Sequence, residues 1–358
     1  MDPEPTRSST PSEDLLDAAR GGDADAFGQL VKPHRRELHV HCYRMLGSLH
    51  EADDALQEVL LRAWRALPRF EGAHWLRAWL YKIATNVCLN AAGARARRAL
   101  PFDHGPPVAP GGDHGEPLAE AAWIEPYPDE LLGPGTGTTA PDARYEQREA
   151  VELAFVAALQ HLPARQRAVL ILRDVLGFSA REVAQLLDAT VASVNSAMQR
   201  ARRTLDERVP DESQQRVLHR LGEDRVRDLV SGFADALERG DVDRIVDMLV
   251  EDATFAMPPY AEWYRGRGDV ARSWLMPGGP PPRLRAVPTR ACGQLALGVY
   301  RLDPETASYV PIALDVFTVR GGHIAGVTAF RMPGLFRPFG LPDRLPASDL
   351  PGRPAAGG

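Results

Sequence analysis

A segment of 44 residues, 99–142, most constrains how this chain folds, because it separates two strongly helical stretches. The segment holds nine Pro, seven Gly and eight acidic residues, and it has no Lys or Arg. Proline interrupts helices, and so few apolar side chains cannot offset the entropy lost on ordering. We therefore predict an acidic Pro/Gly-rich linker between separate domains. Its patch WIEPYP, at 123–128, is aromatic enough to dock on a surface, and a collapsed loop is the alternative.

Charge and cysteine content narrow the class of protein. The net charge of −6 excludes a polycationic protein. The negative charge is concentrated in the linker, because the rest of the chain, without the eight linker acids, has a net charge of about +2. Cys42, Cys88 and Cys292 are too far apart for paired zinc ligands and form no disulfide framework, which favours a reducing cytosol. No apolar run approaches the ~18–20 residues of a membrane span, and the N-terminus lacks the features of a signal peptide. These observations predict a soluble, cytoplasmic protein of two or three domains.

Residues 14–98 show helical periodicity throughout, and one helix of this block carries an acidic face. Along 53–67 the apolar residues follow a 3.6-residue repeat, whereas a separate arc of the same helix is polar and acidic. That arc consists of Asp53, Asp54, Gln57 and Glu58. Uncompensated acids on one face repel one another and suit a surface that a basic partner covers. The alternative is an ordinary solvated face.

The next stretch, 72–102, has the opposite character. It contains five basic residues and no acid, with Trp75, Trp79 and Tyr81 interleaved. Cations bind a phosphate backbone, aromatic rings stack on unpaired bases, and amides hydrogen-bond to base edges. This pattern predicts a surface for single-stranded nucleic acid. The alternative, that Trp75, Trp79 and Ile83 form a core stripe, holds for Trp79 and Ile83 but leaves the absence of acids unexplained.

The ordered pair DDALQEVLLRAW at 53–64 and WLRAWLYKIATN at 75–86 closely resembles region 2 of bacterial sigma-70 family factors, especially the small extracytoplasmic-function (ECF) group. In that family the acidic helix docks on the largest subunit of RNA polymerase, and the following helix with its preceding loop melts and holds the −10 promoter element. The resemblance implies that Asp53, Asp54, Gln57 and Glu58 contact core polymerase. It also implies a set of −10 contacts: Phe70, Trp75, Arg77, Lys82, Asn86 and Asn90.

A second helical block, 143–209, contains a helix-turn-helix pattern. Ser179 and Glu182 form a capping box, residues 188–190 make a short turn, and Thr190 caps a second helix whose outward side carries amides and guanidinium groups. Such a helix suits the major groove of DNA, since amides pair with adenine edges and arginines with guanine or phosphate. A plain helical hairpin with a solvated face is the alternative.

This block resembles sigma region 4, which binds the −35 element, in the order of its parts. These parts are Leu-Pro-x-x-x-Arg at 162–167, then a capped helix, then a helix ending QRAR at 199–202. The implied −35 contacts are Thr190, Ser193, Asn195, Ser196, Gln199, Arg200 and Arg203. Family members often carry Lys or Arg early in this helix, where this chain has Asn195 and Ala197. We therefore expect weaker phosphate anchoring.

From residue 225 onward a helix pair precedes short strands, and Gly321-Gly322 predicts a tight hairpin between the last two. We predict an α+β cone-like domain over 225–332 and an extended Pro-rich tail over 333–358. FADALERGDVD at 233–243, followed by DATF at 252–255, resembles SnoaL-like domains of the nuclear transport factor 2 superfamily. That resemblance implies a ligand pocket with the candidates Tyr260, Trp263, Tyr264 and His323.

Some members of that superfamily are isomerases or cyclases that use a carboxylate base in an apolar cone. The candidate bases here are Asp269 and Asp315, but the strand over 254–257 runs into Pro258-Pro259 without a carboxylate where such enzymes often carry one. We expect Asp315 to lie on the outer face of its strand or in a salt bridge. Catalysis is therefore not the favoured interpretation.

Together these patterns predict two all-α domains followed by an α+β domain, in a sigma factor whose C-terminal domain regulates it. The expected partners are core RNA polymerase and promoter DNA, as a −35 duplex and a melted −10 strand, with an anti-sigma factor or a small ligand as a further candidate. No enzymatic activity, cofactor, metal or membrane contact is expected, and the location is cytoplasmic and nucleoid-associated. The alternatives are an isomerase or cyclase fused to a DNA-binding module, and a conventional helix-turn-helix repressor or activator. The second is disfavoured because a groove-binding protein gains nothing from the three exposed acids Asp53, Asp54 and Glu58 beside its DNA face.

Overall fold

The structure is a computed structural model, and it describes residues 13–72, 75–93, 97–111, 115–118, 123–132, 148–274 and 283–347. These residues belong to two compact units. The first unit comprises Met1–Arg98 and Ile124–Asp211, and the second comprises Ala99–Trp123 and Glu212–Gly358. The chain therefore leaves the first unit after Arg98, enters the second, and returns to the first at Ile124.

The first half of the first unit is built around a buried helix, α3. Residues Leu38 to Leu46 of this helix are all buried, while the apolar stripe of α4, with Val59 and Ala63 fully buried, packs beside it. Gly47 ends α3 at φ 71, where an added Cβ would lie 3.1 Å from the Gln160 side chain, so glycine is required. The helices are α1 (Glu13–Arg20), α2 (Ala24–Val31), α3 (Arg35–Leu46), α4 (Leu49–Ala66) and α5 (Leu76–Gly93).

The second half contains the predicted helix-turn-helix. Ser179 and Glu182 form the capping box, with Ser179 Oγ accepting from the Glu182 amide and the Glu182 carboxylate accepting from the Ser179 amide at 2.7 Å. Asp188 makes the turn at φ 48, and Thr190 Oγ1 accepts from the Ser193 amide to cap the second helix. The helices are α6 (Leu153–Gln160), α7 (Ala164–Leu170), a π-helical turn (Ile171–Val175), α8 (Ala180–Leu186) and α9 (Val191–Asp206).

Two buried guanidinium groups join these halves. Arg44 on α3 donates from Nε to the Ala150 carbonyl at 2.9 Å. Arg167 on α7 donates to the Met45 carbonyl and, at 2.9 Å, to the Leu159 carbonyl. Burial lowers the pKa of each guanidinium to about 10, which leaves both charged at neutral pH. The two predicted helical domains thus pack as one body.

The predicted linker is not an independent segment where it is described. Its first part lies on the second unit: Trp263 donates from Nε1 to the Gly105 carbonyl at 2.8 Å, and the Leu118 amide donates to the Pro259 carbonyl at 3.1 Å. A bridge between Ala99 and Trp123 brings the two ends of this part together. We refer to Ala99–Trp123 as the strap. Residues 133–142 of the predicted linker lie outside the described residues.

The aromatic patch of the linker docks, as one of the two interpretations predicted. Ile124 and Tyr127 are fully buried in the first unit. The Glu125 carboxylate accepts from the Leu49 amide at 2.8 Å at the start of α4, and Tyr127 Oη lies 2.7 Å from His39 Nδ1. The chain therefore passes from the strap to the first unit at the peptide bond between Trp123 and Ile124.

The second unit has the predicted α+β architecture. Its sheet order is β2-β1-β6-β5-β4-β3, with β1 and β6 parallel and the other neighbours on this path antiparallel. Gly321 and Gly322 form the β5–β6 hairpin at φ 57 and 81, as the sequence predicts. The helices are α10 (Gln214–Leu221), α11 (Glu223–Arg239), α12 (Val242–Asp247) and α13 (Arg267–Trp274). The strands are β1 (Leu249–Ala256), β2 (Trp263–Arg265), β3 (Leu284–Ala291), β4 (Gln294–Asp303), β5 (Ser308–Arg320), β6 (His323–Phe330) and β7 (Leu345–Pro346).

The C-terminal tail covers the outer face of this sheet. Phe336 is buried against Tyr300, and Tyr300 Oη donates to the Pro342 carbonyl at 2.9 Å. At Gly298 an added Cβ would lie 2.6 Å from a methyl group of Leu341, so the tail packs directly on the backbone of β4. The prediction of an extended tail is therefore wrong over 333–346, because apolar residues among the prolines have a sheet face to bury. Residues 348–358 lie outside the described residues.

Candidate nucleic-acid interface

The predicted acidic face lies on α4, which begins at the N-cap Ser48. Asp53, Asp54 and Gln57 are exposed, and Glu58 is half-buried and pairs with Arg62 at 2.6 Å. Leu61 is 42% exposed one turn beyond Gln57 and extends the same face. The surface is therefore acidic with an apolar end, which suits a protein partner that presents basic and apolar groups.

Buried groups beneath α4 hold part of this face in place. His39 on α3 lies between Tyr127 Oη and Asp53 Oδ1, at 2.7 and 3.1 Å. Burial lowers the pKa of His39 although Asp53 acts in the opposite direction. His39 and the docked patch thus orient Asp53 from below.

The predicted −10 residues on α5 differ in accessibility. Trp75 is 55% exposed and Asn90 is exposed, whereas Asn86 is half-buried. Phe70 is only 7% exposed and stacks on Trp79 with ring centroids 4.5 Å apart. The structure therefore places Phe70 in the support of the preceding loop and not on the surface, because its ring fills the space beside Trp79.

The two predicted −10 cations have partners. Arg77 pairs with Glu37 of α3 at 3.0 Å, and its guanidinium lies over the rings of Tyr81 and Phe178 at 5.0 and 5.3 Å. Burial raises the pKa of Glu37, but the hydrogen bond from His34 and the charge of Arg77 together leave that pKa below its ordinary value of 4.5. Glu37 is therefore ionised at neutral pH and holds Arg77 on this face.

Lys82 binds the turn of the helix-turn-helix. Its Nζ donates to Asp188 Oδ1 at 2.9 Å and lies 3.4 Å from the Gln185 carbonyl. The sequence did not predict these contacts of Glu37, Phe178 and Asp188. Glu37 lies 40 residues from Arg77, Asp188 lies 106 residues from Lys82, and Phe178 belongs to the second helical block. No local pattern signals such pairs.

The predicted −35 residues all lie exposed on or immediately before α9, while Val194, Met198 and Ala201 are buried on its other side. Asn195, Gln199 and Arg203 follow one another at four-residue spacing, and Arg200 donates to Ser196 Oγ at 2.6 Å. The hydroxyl groups of Thr190 and Ser193 already serve the N-cap. Amides and guanidinium groups in this arrangement fit base edges and phosphates in a major groove.

Arg202 has a different role from its neighbours. Its guanidinium forms a bidentate ion pair with the Asp174 carboxylate, with Nε and Nη2 donating at 3.1 and 2.9 Å. Asp174 lies in the π-helical turn. Arg202 therefore fixes α9 to the rest of region 4.

The predicted pocket residues of the second unit do not come together. Tyr264 is buried beside Phe255, Tyr260 is half-buried against the core, and Trp263 turns to the strap. His323 is exposed at the β5–β6 hairpin, at the opposite end of β6 from Phe330. The four residues therefore do not form one pocket.

The two candidate bases are also separated. Asp269 lies in the first turn of α13 and pairs with Arg272. Asp315 lies on the inner face of the sheet, because it pairs with Leu297 and Ala329, both members of the core. The prediction of an outer or salt-bridged Asp315 is wrong.

Among the described residues we find no group of three His, Cys, Asp or Glu that could hold a metal ion, and no helix long and apolar enough to cross a membrane.

Comparison with protein families gives the class. The sigma-70 region 2 family matches residues 30–98, sigma-70 region 4 matches 152–205, and the SnoaL-like domain family matches 230–327. The order of these matches follows the helical block with the acidic face, the helix-turn-helix and the cone. The architecture is that of a sigma-70 factor with an added SnoaL-like domain.

Similar proteins identify the group within that class. The chain is 41% identical over 329 residues to the ECF RNA polymerase sigma factor SigG of Mycobacterium tuberculosis, covering 91% of this chain and 86% of SigG. It is 32% identical to SigM of the same species over 192 residues, which is 54% of this chain and 81% of SigM. The fold matches the crystal structure of the Mycobacterium tuberculosis ECF sigma factor SigJ with a TM-score of 0.52 at 21% identity, over 89% of this chain and 99% of that one.

The chain belongs to the ECF family of RNA polymerase sigma factors. It binds core RNA polymerase and directs promoter-specific initiation of transcription. Sigma factors are not enzymes, so the polymerase performs the chemistry. The isomerase and repressor alternatives are thereby set aside.

Proposed function

We propose that three surfaces of the first unit divide the work of initiation. The acidic and apolar face of α4 docks on core polymerase, since its acids and Leu61 are exposed on one side of a firmly capped helix. The exposed side of α9 binds the −35 duplex. The melted −10 strand is held by Trp75, immediately before α5, and by Arg77, Lys82, Asn86 and Asn90, which follow along α5 to its last turn.

We further propose that the packed first unit is a resting state. Asp188, which Lys82 binds at 2.9 Å, precedes α9 by three residues. One turn of B-DNA already spans ~34 Å, so two separate promoter elements cannot both be contacted from side chains this close. Promoter recognition therefore requires α9 to move away from α5, and core polymerase supplies the binding energy for this opening.

The C-terminal domain regulates this opening through the strap. The strap is held by the second unit at Gly105 and Leu118, and it continues directly into Ile124, which is buried in the first unit. Loss or strengthening of the hydrogen bonds between the strap and the second unit would therefore alter the position of the segment that joins regions 2 and 4. An anti-sigma factor or a small molecule bound to either unit would shift the same equilibrium. The site of action is the cytoplasm, at the nucleoid.

Run-off transcription with purified core polymerase tests the docking surface. Asp54→Lys with Glu58→Lys should abolish promoter-specific transcripts and polymerase binding, because like charges then face the partner. Asp224→Lys with Asp228→Lys reverses two exposed acids of α11 and is the matched control. Full transcription from the α4 double variant would contradict the assignment.

The same assay tests the regulatory proposal. The chain lacking 212–358 should give a different yield of the same transcripts from the full chain. Equal yields across protein concentrations and salt would contradict regulation by the second unit while leaving the docking surface intact.

A further inference from the structure

Two guanidinium groups of the first unit meet at one histidine. His161 directly follows α6 and is half-buried, and Arg97 Nη1 lies 2.7 Å from its Nδ1 while Arg208 Nη1 lies 3.2 Å from its Nε2. Arg97 lies beyond the end of α5 and Arg208 beyond the end of α9. This cluster of Arg97, His161 and Arg208, which we call the basic junction, therefore draws its residues from both halves of the first unit.

The basic junction has more hydrogen-bond donors than acceptors. A guanidinium carries five N–H donors and no acceptor, and a neutral imidazole has one N–H and one acceptor nitrogen. At most one of the two arginines can therefore donate a hydrogen bond to the His161 ring, and the other places an N–H group against an N–H group. Protonation of the ring would leave both arginine contacts without an acceptor. The arrangement therefore favours a ligand that brings acceptors of its own.

Carboxylates do not neutralise the two guanidinium groups. Neither Arg97 nor Arg208 lies within ion-pair distance of an acid in the part of the chain that the structure describes. Glu51 and Glu125 pair instead with Arg98, at 2.9 and 3.9 Å. Two like charges held at one ring repel each other, so a bound anion would stabilise the junction.

We propose that the basic junction binds the phosphate group of a small anion. Phosphate oxygens supply the missing acceptors, phosphate charge offsets the two guanidinium groups, and the planar fork of arginine matches phosphate in a bidentate pair. A carboxylate offers only two oxygens and one charge to three donor groups, so it fits less well. The DNA backbone carries the same chemistry, but promoter binding as proposed above moves region 4 away from region 2 and would take the junction apart.

A phosphate bound here would hold the first unit in its packed state. It would join the chain beyond α5 to the chain beyond α6 and α9, and a ligand that binds one of two states shifts the population toward that state. The anion site stands independently of the proposed function. Its regulatory role, opposing the opening of the first unit, rests on the proposed resting state.

Isothermal titration calorimetry with inorganic phosphate, on the full chain at pH 7.5 and constant ionic strength, tests the site. Binding should saturate with a Kd of about 1 mM or tighter. Arg97→Gln and Arg208→Gln should each weaken it at least ~10-fold, because each removes charge-assisted hydrogen bonds to the ion. Arg181→Gln removes an exposed guanidinium from α8 and is the matched control, which should bind normally. Absence of saturable binding, or equal weakening by all three variants, would overturn the proposal.

Nuclear magnetic resonance with 15N-labelled histidine locates the bound ion. Phosphate should shift the ring signals of His161, identified by their absence from His161→Gln, and leave those of the exposed His50 unchanged. Equal shifts at both histidines would indicate general screening and overturn the site.

A short DNA duplex without promoter sequence separates the two sources of phosphate. Its affinity for the full chain should be the same in Arg97→Gln as in the control Arg181→Gln. A duplex that needs Arg97 and Arg208, together with no binding of inorganic phosphate, would assign the junction to DNA and overturn the small-anion site.

Run-off transcription tests the regulatory role. Phosphate at ~10 times its Kd should lower the transcript yield of the unchanged chain relative to chloride at the same ionic strength, and it should not lower the yield of Arg208→Gln. Equal yields from a chain that binds phosphate would contradict the regulatory role and the resting state, but not the site. Loss of binding in the calorimetry would instead remove the site and leave the resting state standing.

Discussion

Lys82 on α5 and Asp188 in the turn before α9 form an ion pair of 2.9 Å, although 106 residues separate them in the sequence. Lys82 is a proposed −10 contact, and Asp188 adjoins the helix proposed to read the −35 element. The pair therefore joins the two parts of the chain that we propose to bind promoter DNA, in the packed state that we propose to be the resting one. Both side chains are more than a third exposed, so the pair contributes little to stability but is easily exchanged for phosphate.

Removing the charge of Asp188 should favour the open state. Asp188→Asn keeps a residue that tolerates the left-handed backbone at φ 48. An exposed ion pair is worth at most about 1 kcal/mol, so the free protein should bind a single-stranded −10 oligonucleotide up to ~5-fold more tightly. Fluorescence anisotropy measures this affinity. Asp206→Asn, at the end of α9, removes one negative charge without breaking the pair, and an equal gain in that variant would contradict the proposal that the Lys82–Asp188 ion pair holds the resting state.

The buried Arg167 should be a main support of the packed first unit. Arg167→Met removes the guanidinium bonds to the carbonyl groups of Met45, Leu159, Gln160 and Leu162, of which the Leu159 carbonyl keeps the Leu162 amide as a donor. Losing these buried charged hydrogen bonds predicts a loss of roughly 3 kcal/mol in the free energy of unfolding. Urea denaturation measures the change. Arg203→Met, on the exposed side of α9, should change stability by less than about 0.5 kcal/mol, and similar losses in both variants would argue against the buried contacts.

His41 gives the first unit a pH dependence. Burial, with a further contribution from Arg44, lowers the pKa of His41 to about 3 from its ordinary 6.5. The unfolded chain therefore binds a proton between pH 6.5 and 3 that the folded chain does not, and stability falls as the pH drops through that range.

The slope attributable to His41 is up to about 1.4 kcal/mol per pH unit. His41→Gln should flatten the fall in unfolding free energy between pH 6.5 and 4.5, measured by urea denaturation at each pH. His50→Gln, at an exposed position, should leave the slope unchanged. An unaltered slope in His41→Gln would show that this histidine is not the source.

The strap should depend on the Trp263 indole N–H. Trp263→Phe keeps a ring beside Phe102, 5.0 Å away in the unchanged chain, but loses the hydrogen bond to Gly105. Amide hydrogen exchange should then quicken over 99–111, including at Val108, whose amide donates to the Trp263 carbonyl at 2.9 Å. Trp64→Phe, which alters an aromatic contact in region 2, should leave the strap protected. Unchanged exchange in Trp263→Phe would contradict this anchoring.

Local patterns in the sequence were enough to predict the elements, whereas contacts between distant residues were not predictable. The capping box at Ser179 and the hairpin at Gly321-Gly322 involve neighbours a few residues apart, so their chemistry is visible in the sequence. The face of Asp315 was misjudged because β5 is buried on both sides, and its tail-covered outer face removes the alternation that would reveal orientation. The contacts of Arg77 with Glu37 and Phe178 were not predicted, because these two residues come from other parts of the chain, one on α3 and one just before α8.

Helix α9 provides the sharpest test of the promoter assignment, because its exposed residues Asn195 and Arg203 have different expected partners on DNA. Asn195 carries an amide suited to an adenine edge, so Asn195→Ala should cost about 1–3 kcal/mol of discrimination at one −35 base pair and little affinity for other sequences. Arg203, two turns further along the same exposed side, suits a phosphate. Arg203→Ala should therefore weaken all sequences alike and reduce the salt slope of binding by ~1. Polymerase-bound protein titrated with matched and singly mismatched −35 duplexes at several salt concentrations separates the two effects, and uniform weakening by both variants would place Asn195 on the backbone.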